Sequence, residues 1–300
     1  YDADRDQVLA RMRQAGIKTI TVGTNLETSR SAIALAERYP HDMWATVGIH
    51  PTELTSSHNS INWDEVEKVA RHPTVVAIGE CGLDYYRLPS VKDKEQILAP
   101  EIPSVSRYGA GPAPEMPFAS RYEASPVSEQ ARYGASAQRK EHIEKQKEAF
   151  RKHIEIAAKI KKPLMIHCRP SKGSDDAYED VLQELIANNF PFPSILHFFV
   201  GSAAIAQKLA DRNCYCTFGG VITFARDYDA AIRALPLERI LLETDAPLIT
   251  PEPHRGRRNE PGFVTAVAQK IAEIKNTTPE IVIAVTTQTV RRIFDSMIVF

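Results

Sequence analysis

Seven residues of this 300-residue chain have the types and places for metal-assisted chemistry. His50, Glu80, His167, His197 and Asp245 each close or interrupt a short apolar run, and Asp84 and Glu243 lie close by. A lone histidine at such a place is most often structural. Five strands that each bring a metal-capable side chain to the same end are another matter, because in a βα barrel those ends converge on one mouth, where active sites sit. Imidazoles and carboxylates without a thiolate cluster suit Zn²⁺, Mn²⁺ or Mg²⁺. A carboxylate shared between two ions would clamp the attacking and leaving oxygens and lower the pKa of bound water, which is hydrolytic chemistry. Arginines frame the same region. Arg87 and Arg169 follow strands, and Arg255, Arg257 and Arg258 lie in the loop 251–261. Guanidinium forks match phosphate oxygens, so the expected substrate is a phosphoester. His41, His58, His72, His142 and His153 show no such partners in the pattern and read as structural. Cys81 and Cys168 neighbour site residues but alternate to the other side of their strands, as packing residues do.

The elements that must position these groups are legible as apolar bursts. They cover 17–23, 43–50, 74–82, 163–168, 194–199, 214–220 and 239–247, each short, near-continuous in hydrophobicity and rich in β-branched or aromatic residues. Strands buried on both faces of a parallel sheet read this way. Amphipathic helices fit between them over 4–14, 27–39, 63–71, 142–160, 176–188, 202–211 and 226–234, with two more near 262–275 and 279–294. Thr28 and Ser202 are expected N-caps, and Gly16 a C-terminal cap. Seven strands alternating with helices predict an α/β fold, either a TIM (β/α)8-type barrel short of one strand or a doubly wound sheet. The first element is a helix, so the missing strand is expected before Tyr1.

Composition narrows the class. The chain is 43% hydrophobic and 25% charged with net charge -1, which excludes disorder throughout and a grossly basic nucleic-acid binder. No apolar window reaches the ~18 residues of a membrane span, and the opening YDADRDQ is no secretory leader. Four cysteines make no disulfide framework at this length, so a cytoplasmic location is expected. One stretch, 92–139, is rich in Pro, Ala, Ser and Gly and repeats Arg-Tyr-Gly-Ala-like units at Arg107, Arg121 and Arg132. It reads as a flexible low-complexity insertion in a single domain spanning 1–300. An arm that touches nucleic acid through Arg and Tyr is the alternative for it.

Six segments carry a resemblance. GIHP at Gly48–Pro51, GECGLDYYR at Gly79–Arg87, MIHCR at Met165–Arg169, LHFFVG at Leu196–Gly201, ETDAP at Glu243–Pro247 and PHRGRRNEP at Pro253–Pro261 together resemble the TatD family of metal-dependent deoxyribonucleases. They fall in the family's order over nearly the whole chain outside the insertion. The resemblance implies a TIM-barrel hydrolase that cleaves DNA phosphodiester bonds, as a 3′-5′ exonuclease on single-stranded ends, with DNA strands or duplex ends as partner, no membrane, and a monomeric state. It implies Glu80 as a metal-bridging carboxylate, His167 and His197 as the histidines of one metal site, and Asp245 as ligand of the other metal and proton acceptor. Glu80 and Asp245 are thus the implied catalytic residues. His50, Asp84, Arg87, Arg169 and Arg255 are the implied substrate contacts. The sequence departs from the family at LHFFVG, where the residues after the histidine differ. It departs more seriously at the start, because the family's first strand carries His-x-His and no such pair occurs here. Two divalent ions (Mg²⁺, Mn²⁺ or Zn²⁺) are the family pattern, and one is the expectation for the residues present. Two other readings stay open: a deacylase or esterase of the same superfamily on a small or tRNA-linked substrate, and an impaired barrel serving as a binding module.

Overall fold

Runs that must be buried on both faces become strands covered by helices. The computed structural model describes residues 1, 3–55, 61–88, 129–294 and 297. The element order is α1 (Arg5–Gln14), β1 (Thr19–Thr21), α2 (Leu26–Arg38), β2 (Met43–Val47), α3 (Trp63–Ala70), β3 (Val75–Asp84), α4 (Glu129–Ile160), β4 (Leu164–Arg169), α5 (Asp176–Ala187), β5 (Ser194–His197), α6 (Ala203–Ala210), β6 (Cys214–Phe218), α7 (Asp229–Ala234), β7 (Ile240–Leu242), α8 (Val264–Lys275) and α9 (Pro279–Phe294). Every strand pairs in parallel with the next, in the order β1 to β7. A doubly wound sheet reverses its order at a switch point, so this sequential order decides for the barrel type. Among the described residues no helix is long and apolar enough to cross a membrane.

The strands curl around one interior. Trp44, Val76, Met165, Ile195, Tyr215 and Leu241, from six successive strands, share a single buried cluster, with Ile20 of β1 packed against it. The end of α9 closes this cluster through Ile293 and Phe294, both buried. Each such side chain contributes roughly 1.5–3 kcal/mol by leaving water. The outer face of the strands meets the helices, for example through Phe150, Ile154 and Ala157 of α4, all buried.

Local chemistry sets the ends of the elements. Asn25, not Thr28, is the N-cap of α2: Asn25 Oδ1 accepts from the Thr28 amide at 2.9 Å, and Thr28 Oγ1 accepts from the Asn25 amide at 2.9 Å. This reciprocal capping box satisfies two otherwise orphaned donors. Ser202 caps α6 as expected, and Gly16 follows α1 with φ +67°. On β3 the ladder slips. Ile78 pairs with Leu164 but Cys81 pairs with Ile166, so three steps on β3 face two on β4, a β-bulge. Gly79 and Gly82 flank it with φ +154° and +127°. A Cβ at either would lie 2.2 Å from a carbonyl oxygen of β4, so only glycine permits the approach.

The chain resolves into two compact units. One is Tyr1–Arg87 with Glu144–Phe300, and it holds all seven strands. The other is Leu88–Ile143, of which Leu88 and residues 129–143 are described. There the chain is already helical from Glu129, thirteen residues before the expected start at His142. The Glu, Gln, Ala, Lys and Arg content of 129–145 accounts for the longer helix. Residues 92–128 of the predicted insertion, and His58, lie outside the described residues.

Candidate metal centre

The bulge on β3 aims Glu80 at the mouth, and the Glu80 amide donates to the Gly23 carbonyl at 2.7 Å. Next to it on β4, His167 follows Ile166 in register with Gly82 of β3 and with His197 of β5. His167 is clasped on both sides, with Nδ1 2.9 Å from Glu80 Oε1 and Nε2 3.0 Å from Asp84 Oδ2. His50, from the turn after β2, packs edge-on against the His167 ring at 4.3 Å and brings Nε2 to 3.7 Å from Glu80 Oε1. Among the described residues His50, Glu80 and His167 form the compact set whose ligand atoms all lie within 4.8 Å of one another.

A backbone hydrogen bond fixes the tautomer of His50. Its Nδ1 accepts from the Thr52 amide at 3.2 Å. That acceptor role puts the ring proton on Nε2. Nε2 therefore faces the mouth as a donor, a role suited to an oxygen of substrate rather than to a metal. Burial, with the charge of His167, holds its pKa down to about 4, so the ring is neutral near pH 7.

A second histidine–carboxylate pair stands beside this set. His197 Nδ1 lies 2.6 Å from Glu243 Oε2, and Nε2 lies 3.7 Å from Asp245 Oδ1. Glu243 also accepts from the Phe198 amide at 3.2 Å and from Thr217 Oγ1. Phe198 and Asp245, at the ends of β5 and β7, hold left-handed φ of +50° and +53°. Such backbone is uncommon outside glycine and gathers at functional turns.

The electrostatics fit a bound cation. Burial alone would raise Glu80, but its hydrogen bond to His167 and the charges of His197 and His167 hold it down to about 2. Asp84 is likewise held to about 2 against burial by His167 and Arg87. Burial lowers His167 and His197, yet their carboxylate neighbours outweigh it and raise both. Four carboxylates thus draw positive charge onto two rings, and Glu243 Oε1 is buried with no hydrogen-bond partner in the described structure. Nitrogen and oxygen donors of this kind match Zn²⁺, Mn²⁺ or Mg²⁺.

The remaining predicted residues divide. Asp84 is 1% exposed, with Oδ1 accepting from the Arg87 amide at 3.0 Å and Oδ2 from Arg87 Nη1 at 2.6 Å, so it is turned inward against His167. Arg169 lies 4.0 Å over the Tyr86 ring, and Arg255 4.0 Å over Phe224. Arg258 is a brace rather than part of the rim: it pairs with Asp4 and covers the Tyr1 ring.

Two supporting residues escaped the sequence pattern. Gln146 of α4, 3% exposed, accepts from the Asp84 amide at 2.7 Å and donates to the Asp84 carbonyl at 3.1 Å. One face further along, His153 is fully buried; Nε2 accepts from the Ile49 amide at 3.0 Å while Nδ1 faces the Ala149 carbonyl at 2.7 Å. His153 is structural as expected, but it has partners and holds the backbone next to His50. The i, i+7 spacing of Gln146 and His153 on an apolar helix face was the available signal.

A family profile described as TatD related DNase matches residues 1–100 and 133–295. The chain is 31% identical over 299 residues to a Bacillus subtilis protein named uncharacterized metal-dependent hydrolase YabD, covering 98% of this chain and 94% of that one. It is 30% identical over 311 residues to the 3′-5′ ssDNA/RNA exonuclease TatD of Salmonella typhimurium, with 98% and 94% covered. The crystal structure of YjjV, a TatD homologue of Escherichia coli K12, shares the fold with a TM-score of 0.71 at 22% identity, over 98% of this chain and 92% of that one.

Proposed function

The chain belongs to the TatD-related DNase family of metal-dependent hydrolases, and from that premise we propose that it hydrolyses phosphodiester bonds of nucleic acid, removing nucleotides from the 3′ end of single-stranded DNA. The observation that carries this reading is the Glu80 carboxylate between His50 and His167, at a mouth where Arg87, Arg169 and Arg255 supply phosphate-binding charge.

Glu80, His167, His197 and Asp245 are the residues that would hold divalent metal. When bound, the ion lowers the pKa of water and offsets the charge that develops on the phosphate. Glu243 and Asp84 fix the rings of His197 and His167. Asp245, on its turn at 34% side-chain exposure, takes the proton of the attacking water. The water oxygen bonds to phosphorus and the bond from phosphorus to the 3′ oxygen breaks. That oxygen leaves as a hydroxyl after protonation from solvent, and a nucleoside 5′-phosphate is released. His50 Nε2 donates to a non-bridging phosphate oxygen, while the mouth arginines hold the strand.

The test is degradation of 5′-labelled single-stranded DNA with Mn²⁺ or Mg²⁺, with chelator and Glu80→Ala controls. A ladder that shortens from the 3′ end, and disappears in both controls, is the expected result. Hydrolysis that persists in Glu80→Ala would remove the assignment.

A further inference from the structure

Seven large apolar side chains are exposed among the described residues, and four of them, Tyr86, Val200, Phe224 and Leu248, follow the mouth ends of β3, β5, β6 and β7. The other three lie on the outer helices α5 and α9. Exposed apolar groups concentrated on one functional face mark a binding surface.

Two of the four are aromatic, and they share a construction. Tyr86 is 53% exposed and Phe224 42% exposed. Each has a guanidinium laid over its ring at 4.0 Å, Arg169 on Tyr86 and Arg255 on Phe224. One face of each ring is thereby backed by charge, and the ring remains open to solvent. One backing guanidinium is itself held, and the other starts from the end of a strand. Arg255 Nη1 donates to the Thr250 carbonyl at 2.8 Å, and Arg169 closes the β4 ladder opposite Asp84. The two pairs belong to one field. Burial and Asp227 raise the Tyr228 hydroxyl while Arg169 works against them, which puts Arg169 within electrostatic reach of the loop that carries Phe224.

Alternating rings and arginines fit a polymer that alternates flat apolar groups with phosphates. Aromatic side chains that stack successive bases, interleaved with positive charge, are how single strands are held without sequence preference. In a duplex the base faces are stacked inside and unavailable to such rings. An apolar peptide is the poorer occupant, because each exposed ring here sits beneath a charge.

We propose that Tyr86 and Phe224 are stacking platforms for bases on either side of the cleaved phosphate, and that they make the site selective for unpaired strands. This rests on the nuclease reading. The probe is a fluorescein-labelled thymidine decamer with phosphorothioate linkages, compared with an abasic decamer of the same backbone. Binding is followed by anisotropy with Mn²⁺ present. Each ring is expected to contribute about tenfold in affinity for the base-bearing strand. Tyr86→Ala and Phe224→Ala should each lose about that factor, Tyr86→Trp should retain it, and binding of the abasic strand should stay unchanged in all three. Equal affinity of the unsubstituted protein for both strands would overturn the proposal. So would Ala variants that weaken both strands alike, since the rings would then act only by placing the arginines. Cleavage of an ordinary decamer separates the two readings. Base preference without cleavage keeps the stacking role and removes the nuclease, and cleavage without base preference does the reverse.

Discussion

His167 and His197 sit opposite each other in the β4–β5 register, yet their surroundings differ. His167 is gripped on both nitrogens at 2.9 and 3.0 Å, by Glu80 and Asp84. His197 is gripped on one, by Glu243 at 2.6 Å, while its other nitrogen looks across 3.7 Å toward Asp245. The carboxylates differ too. Asp84 is buried at 1% side-chain exposure, whereas Asp245 is 34% exposed. The β3–β4 side is therefore built to hold, and the β5–β7 side leaves one carboxylate within reach of water. Fixity and reactivity are divided between two arms of similar chemistry.

The largest test of that division is Glu80→Gln. Removing the charge at the centre of the gripped side should lower kcat/KM by on the order of 10⁴ and abolish the rise in Tm on adding Mn²⁺. Asp245→Asn should cost about 10²–10⁴ in kcat while keeping most of the Mn²⁺-dependent Tm rise, because it removes the proposed proton acceptor and spares the gripped arm. Equal loss of the Tm rise in both variants would dissolve the contrast. Next come Asp84→Asn and Glu243→Gln, where carboxylates that orient ligand histidines typically contribute about 10–100-fold in metal affinity. Glu243→Gln should show the greater loss by titration calorimetry, since the second carboxylate at His197, Asp245, stands off at 3.7 Å while His167 keeps Glu80 at 2.9 Å.

His153 predicts a pH dependence of stability. Burial holds it down to about 4 in the fold, against about 6.5 when unfolded. Between those values the unfolded chain binds the proton and the fold does not. Stability is thus fully present above about 6.5, and about 3 kcal/mol is lost as pH falls to about 4. Urea midpoints of His153→Gln should fall less steeply over that window. The smallest effect is expected from removing residues 101–132, which the family profile passes over; kcat on single-stranded DNA should change less than about twofold, within ordinary surface variation.

What the sequence discloses follows from how each feature is encoded. Strands buried on both faces must be written as continuous apolar runs, so all seven were legible, and the polar residues ending them gave His50, Glu80, His167, His197 and Asp245. Strand order is not written locally; the runs alone were compatible with a doubly wound sheet, and pairing decided for the barrel type. Partners that arrive from a distant helix are hidden. Gln146 reads as an interruption of an apolar face until its contact with Asp84 is seen. Glu243 stood beside the site in sequence, but its grip on His197 needs two strands to meet. Arg258 resembled its loop neighbours, and only the fold sends it to Asp4.

The bulge on β3 has a consequence in parity. In a strict strand, residues two apart share a side. Ile78 pairs with Leu164, one step from inward-facing Met165, so Ile78 faces the outer helices. Under unbroken alternation of the same residues Glu80 would face outward with it, behind the barrel wall. Past the bulge the sides have exchanged: Gly82 pairs with His167 and Asp84 follows on the inner side. The centre is thus addressed by counting as well as by chemistry. Gly79 and Glu80 of β3 share the place of the single Met165 on β4, and this doubled step lets Ile78 face the helices while Glu80, two positions on, faces the mouth.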